Sequence, residues 1–87
     1  MKLETIIKEL ADIIKSSNSD EPLDWAYNAE NFIEDLAIDN KIGPSVQGLI
    51  IHEMDRYDES DDFMNAISSN EFATLYADEL ASDNEEE

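Results

Sequence analysis

Apolar residues return at intervals of three and four along most of this chain, and no useful stretch alternates them singly. Helices are therefore the regular elements to expect. Leu3, Ile6, Ile7, Leu10 and Ile14 set a first amphipathic helix over roughly 2–16, whose polar face mixes both signs of charge. Ser16-Ser17-Asn18-Ser19-Asp20 reads as a loop. Pro22 then fits the first turn of a second helix that Ser19 or Asp20 can cap, with Asp20, Glu21 and Asp24 near its positive end. At 100° per residue, Trp25, Ala26, Ala29, Phe32, Ile33, Leu36 and Ala37 share one arc of residues 23–39. Asp24, Glu30, Glu34, Asp35 and Asp39 fall on the other arc, which carries no basic residue.

Gly43 and Pro44 punctuate the next junction, with Ser45 as the following cap. A third helix, about Val46 to Tyr57, is apolar on more than one side, because Ile51 lies off the stripe of Val46, Leu49, Ile50, Met54 and Tyr57. Such a helix is central or sits at a subunit contact. Gly48, roughly opposite the stripe, would admit a close neighbouring helix at a propensity cost of about 1 kcal/mol. Glu53 projects onto the stripe, where it snorkels or pairs with Arg56. Asp58 to Asp61 form a turn or helix start before a short helix with Phe63, Met64, Ala66 and Ile67. Ser68-Ser69-Asn70 interrupts it, and a last helix over roughly 71–81 carries Phe72, Leu75, Tyr76 and Leu80. The expected fold is all-α: a small bundle of four to five helices with an acidic surface. Residues 1–81 form one helical domain, and 82–87 an acidic, flexible and disordered tail.

At 87 residues the chain fits one domain that buries only about 60% of its unfolded surface, so nearly every apolar residue is needed for the core. Its net charge is −18, from 23 acidic residues against five Lys and Arg. In residues 1–15 the charges cancel, and everything beyond sets 20 acids against Lys41 and Arg56. That balance disfavours direct binding to nucleic acid or an anionic membrane and points to a basic partner. Without cysteine, a long apolar run or a signal-like N-terminal stretch, the chain reads as cytoplasmic, in a bacterial host cell if the resemblance described below holds.

Little in the sequence supports catalysis. His52 is the only imidazole, and a His-Glu zinc helix fails because Arg56 stands where the second ligand belongs. The acids from Asp55 to Asp62 fit no calcium-loop register; counted from Asp55, Ser60 takes the glycine position and Ala66 the final glutamate. With 23 carboxylates, close pairs carry no information about acid–base chemistry. We expect no enzyme activity, no cofactor and no metal.

The acids have a collective cost. Glu30 with Glu34, Asp35 with Asp39, and Asp55 with Glu59 are like-charge pairs four apart, each costing about 0.2–0.5 kcal/mol in a helix. Lysine at any of these positions would remove the repulsion, so its absence points to negative potential as the selected property. Carboxylates one helical turn apart lie about 6 Å from one another, comparable to neighbouring phosphates on a nucleic-acid strand. Such a face can occupy a groove that binds DNA through backbone charge and shape. The candidate partner-binding residues are Asp24, Glu30, Glu34, Asp35 and Asp39, with Asp55, Asp58, Glu59, Asp61 and Asp62 as a second patch. Acidity serving only solubility is the plain alternative.

The acid-rich helix Asp24–Asp39, the junction Ala37-Ile38-Asp39-Asn40-Lys41-Ile42-Gly43-Pro44, the apolar helix after it and the acidic end Asp83–Glu87 resemble the small phage anti-restriction proteins of the Ocr type. The resemblance spans about half of the chain, which is shorter than that family. It implies a phage or prophage product that dimerises and acts as a DNA mimic, blocking a restriction or CRISPR-type defence enzyme. Phe32-Ile33-Glu34-Asp35-Leu36-Ala37-Ile38-Asp39 also looks like the segment before the phosphopantetheine serine of acyl carrier proteins, but Asn40 stands in the serine's place. Colicin-type immunity proteins are similar in size, acidity and helical class. On that alternative the chain is an acidic adaptor or immunity protein for one basic partner, anchored by Tyr27 or Tyr57.

Overall fold

A computed structural model describes residues 2–17, 20–21 and 23–84, with the backbone alone for Asn84. Five helices follow one another: α1 (Leu3–Ser16), α2 (Asp24–Ile38), α3 (Pro44–Asp55), α4 (Ser60–Ile67) and α5 (Asn70–Asn84). No strand occurs among the described residues, and the molecule is an all-α bundle. The expected arc of α2 is the arc that packs: Trp25, Ala29, Ile33 and Leu36 are buried, while Ala26, Phe32 and Ala37 are half-buried. α2 packs on α1 and α3, and α4 on α1, α3 and α5. Because α3 touches α2, α4 and α5, its multi-sided apolarity has a structural explanation: it is the central helix. Trp25 stacks on Phe63 with ring centroids 5.4 Å apart, joining the start of α2 to α4 across the core.

The helix ends differ from expectation. Ser19 and Pro22 lie outside the described residues, and Asp20 is not the cap of α2, which starts at Asp24 behind Leu23 without a side-chain cap bond. The first turn is closed by backbone instead: the Asp24 N–H donates to Glu21 and the Tyr27 N–H to Leu23. At the other end, Asn40 rather than Gly43 makes the reversal, adopting the left-handed region at φ 61°. The Asn40 N–H bonds the Ala37 carbonyl, and the Lys41 N–H bonds the Leu36 carbonyl at 2.9 Å, which is the Schellman closure. Asparagine tolerates this backbone because its short polar side chain is compatible with the left-handed region.

Ser45 is not the cap of α3 either. It lies inside the first turn, behind Pro44 at the start and Gly43 at the cap position. The N–H groups of Ser45 and Val46 donate to the two carboxylate oxygens of Asp83, each at 3.2 Å. The expected 71–81 helix therefore runs three residues further. Ser82 and Asp83 belong to α5 rather than to a tail, and Glu85–Glu87 lie outside the described residues. At the negative end of its own helix Asp83 is unfavourably placed, but it faces the positive end of α3, which offsets that cost. Gly43 is required for space, since a Cβ there would collide with the Asp83 carboxylate. Asp83→Ala should destabilise the fold by about 0.5–2 kcal/mol. Gly43→Ala should cost a similar amount, and in a double-mutant cycle followed by thermal melting the two losses should overlap rather than add.

Two further points bear on stability. An added Cβ at Gly48 would meet nothing within 4 Å, so the close helix approach expected there does not occur among the described residues. Gly48→Ala should gain about 1 kcal/mol and raise the melting midpoint by roughly 4–8 °C. Tyr76 is buried, and desolvation pushes its phenol above the ordinary value of 10.0. The unfolded chain then loses this proton first, so the stability contributed is complete below pH 10 and is lost as pH rises through the folded value. Alkaline titration by circular dichroism should show unfolding beginning above pH 10, and Tyr76→Phe should weaken that dependence.

Candidate acidic binding face

The outward side of α2 carries the first candidate set. Glu30, Glu34, Asp35 and Asp39 are exposed, whereas Asp24 is half-buried and accepts a hydrogen bond from the Asn28 amide at 3.3 Å. Asn28 also donates to the Ser17 hydroxyl, which fixes the start of α2 against the end of α1. Projected around the helix, the acids form two rows. Glu30 and Glu34 lie on one side, and Asp24, Asp35 and Asp39 lie roughly 100° further round. Between the rows run Tyr27, Asn31 and Ile38, so the middle of the acidic side is not acidic. Tyr27 is 67% exposed and Ile38 75%, with Leu23 (63%) at the head of the same line.

The second set is also exposed. Asp55 ends α3, Asp58 and Glu59 lie in the link, and Asp61 and Asp62 sit in the first turn of α4, where its positive end favours them. Because α3 stops at Asp55 and Glu59 caps α4, Asp55 and Glu59 are not one turn apart on a helix, contrary to expectation. Trp25, in the first turn of α2, stacks on Phe63 near the start of α4, so the two helices meet through their buried rings. Arg56, one of two cations beyond residue 15, does not neutralise this patch. Its guanidinium pairs with the buried Glu53 carboxylate at 3.3 Å and lies 5.8 Å from the centre of the Tyr57 ring, so Glu53 is the paired residue expected.

Other chemistry has little support among the described residues. No group of three or more His, Asp or Glu side chains is placed to hold a metal ion. His52 is exposed. A cleft of about 180 Å³ between α3 and α5 contains the Glu53–Arg56 pair, with Tyr57, Phe72 and Leu75 beside it. Ser69 also lines it, with its hydroxyl engaged at the helix junction, donating to the Ala66 carbonyl at 2.7 Å and accepting from the Phe72 N–H. No helix is long and apolar enough to cross a membrane.

Charge density gives the face a scale. Without Glu85–Glu87 the net charge is −15, along a molecule 44 Å in its longest dimension. That is about one negative charge per 3 Å, against about one per 1.7 Å for duplex DNA. One chain thus carries more than half of the linear charge of a duplex of equal length. No family model, curated protein or solved structure significantly matches the chain.

The apolar line was legible in part. Tyr27 stands out from the sequence as an aromatic anchor, whereas Leu23 and Ile38 belong neither to the buried arc nor to its acidic complement. Projecting every residue of 23–39, including the two end positions, places them beside Tyr27.

Proposed function

We propose that this protein is an acidic, non-catalytic inhibitor that acts as a DNA mimic, occupying the basic nucleic-acid-binding surface of a host defence enzyme of the restriction or CRISPR type. The supporting observation is the exposure of Glu30, Glu34, Asp35 and Asp39 on a helix without a single basic residue. Structural carboxylates would be mixed with lysine, as they are on α1. The resemblance to Ocr-type proteins fits this reading and suggests a phage or prophage origin and a homodimer.

Inhibition needs only occupancy. A purified type I restriction enzyme, assayed for DNA cleavage with increasing amounts of the protein, should be inhibited strongly at 50 mM salt. It should be inhibited at least about tenfold less effectively at 200 mM, because exposed charges are screened within about 10 Å. Inhibition unaffected by salt would count against mimicry. A second reading, that of an acidic adaptor or immunity protein for one basic partner, is favoured by the exposure of Tyr27. It predicts that Tyr27→Ala outweighs any single acid substitution.

A further inference from the structure

We infer that the line Leu23, Tyr27 and Ile38 on α2 is a docking ridge for a cation-rimmed apolar trough on a basic protein. Resting on the inhibitor reading above, this inference specifies the partner's chemistry. The described chain exposes four large apolar residues, and three of them lie on this one line. A single exposed apolar side chain is ordinary; here three of the four share one side of α2, two at its start and one at its end, about 16 Å apart. Around the helix Tyr27 and Ile38 lie within about 20° of one another, with Leu23 just before α2 about 40° from Tyr27 and with Glu30 and Glu34 alongside. The ridge spans about 22 Å.

Charge selects the occupant. A trough seating Tyr27 and Ile38 must also face Glu30 and Glu34 on one side and Asp35 and Asp39 on the other, so its rims carry lysine or arginine. A second copy fits poorly. In the antiparallel register that sets Leu23 against Ile38, Glu30 meets Asn31 beside the other copy's Glu30 and Tyr27 meets Glu34; in a parallel pairing each acid meets itself. No basic residue on α2 relieves either arrangement. Phosphates alone offer no apolar counterpart to this ridge, so a target that seats it contacts more of the protein than the charge pattern of DNA would require.

The test compares two variants against the type I restriction enzyme at 50 and 300 mM salt. In Leu23→Gln/Tyr27→Gln/Ile38→Gln, all three positions are exposed, and unchanged circular dichroism should confirm the fold; Asn31→Ala is the control on the same line. The triple variant should bind about 30-fold more weakly at both salt concentrations, with an unchanged slope of log affinity against log salt. Neutralising Glu30, Glu34, Asp35 and Asp39 should instead flatten the slope. If the triple variant binds as the unmodified chain does, the ridge is not a docking element and the inhibitor reading stands. If the unmodified chain fails to bind the enzyme at either salt concentration, the inhibitor reading fails and the ridge assignment fails with it. Should the unmodified chain sediment as a dimer and the triple variant as a monomer, a second copy covers the ridge and the inference is overturned.

Discussion

Replacing Glu30, Glu34, Asp35 and Asp39 with glutamine and asparagine should weaken binding to a basic target while making the protein itself more stable. The two effects have different origins. Each exposed carboxylate that meets a cation on the target contributes about 0.2–1 kcal/mol, so losing four should reduce affinity roughly five-fold to several hundred-fold. Within the chain, the same change removes repulsion between Glu30 and Glu34 and between Asp35 and Asp39, about 0.2–0.5 kcal/mol per pair. Gained stability with lost binding is the signature of residues retained for recognition. Surface acids kept only for solubility would show the gain in stability without the loss of binding. Titration calorimetry and thermal melting of the same preparation check both.

The largest loss of stability is expected from Phe63→Ala. Phe63 is fully buried and stacks on Trp25, so truncation removes an aromatic ring from the core and separates the starts of α2 and α4. Such substitutions cost about 3–5 kcal/mol. An 87-residue domain has roughly 4–13 kcal/mol in total, at about 0.05–0.15 kcal/mol per residue. Chemical denaturation followed by Trp25 fluorescence should therefore show a midpoint shifted far down, or no folded baseline.

The sequence made the helices and their buried arcs readable because helical periodicity is a local property. Trp25, Ala29, Ile33 and Leu36 had to share a face whatever packed against them, and the exposure of Glu30 and Glu34 followed from the same geometry. What stayed hidden was tertiary. Asp83 looked like part of a solvated tail because an acid at a helix C-terminus is locally unfavourable. Only the arrival of the α3 N-terminus, 37 and 38 residues away in sequence, turns it into a cap. Gly43 reads, with Pro44, only as punctuation of the junction, while in the fold Asn40 takes the left-handed conformation and Gly43 makes room for Asp83. The apolar ridge was partly concealed for another reason. Leu23 precedes α2 and Ile38 ends it, so their exposure depends on what the neighbouring turns cover.

The most direct measurement is an equilibrium competition between this protein and duplex DNA for a purified type I restriction enzyme, read by fluorescence anisotropy of labelled protein at low salt. If the carboxylates of α2 stand in for phosphates, unlabelled duplex should displace the protein completely, with a midpoint that rises linearly with the concentration of labelled protein. A ternary complex in which the enzyme holds both ligands at once would contradict the account.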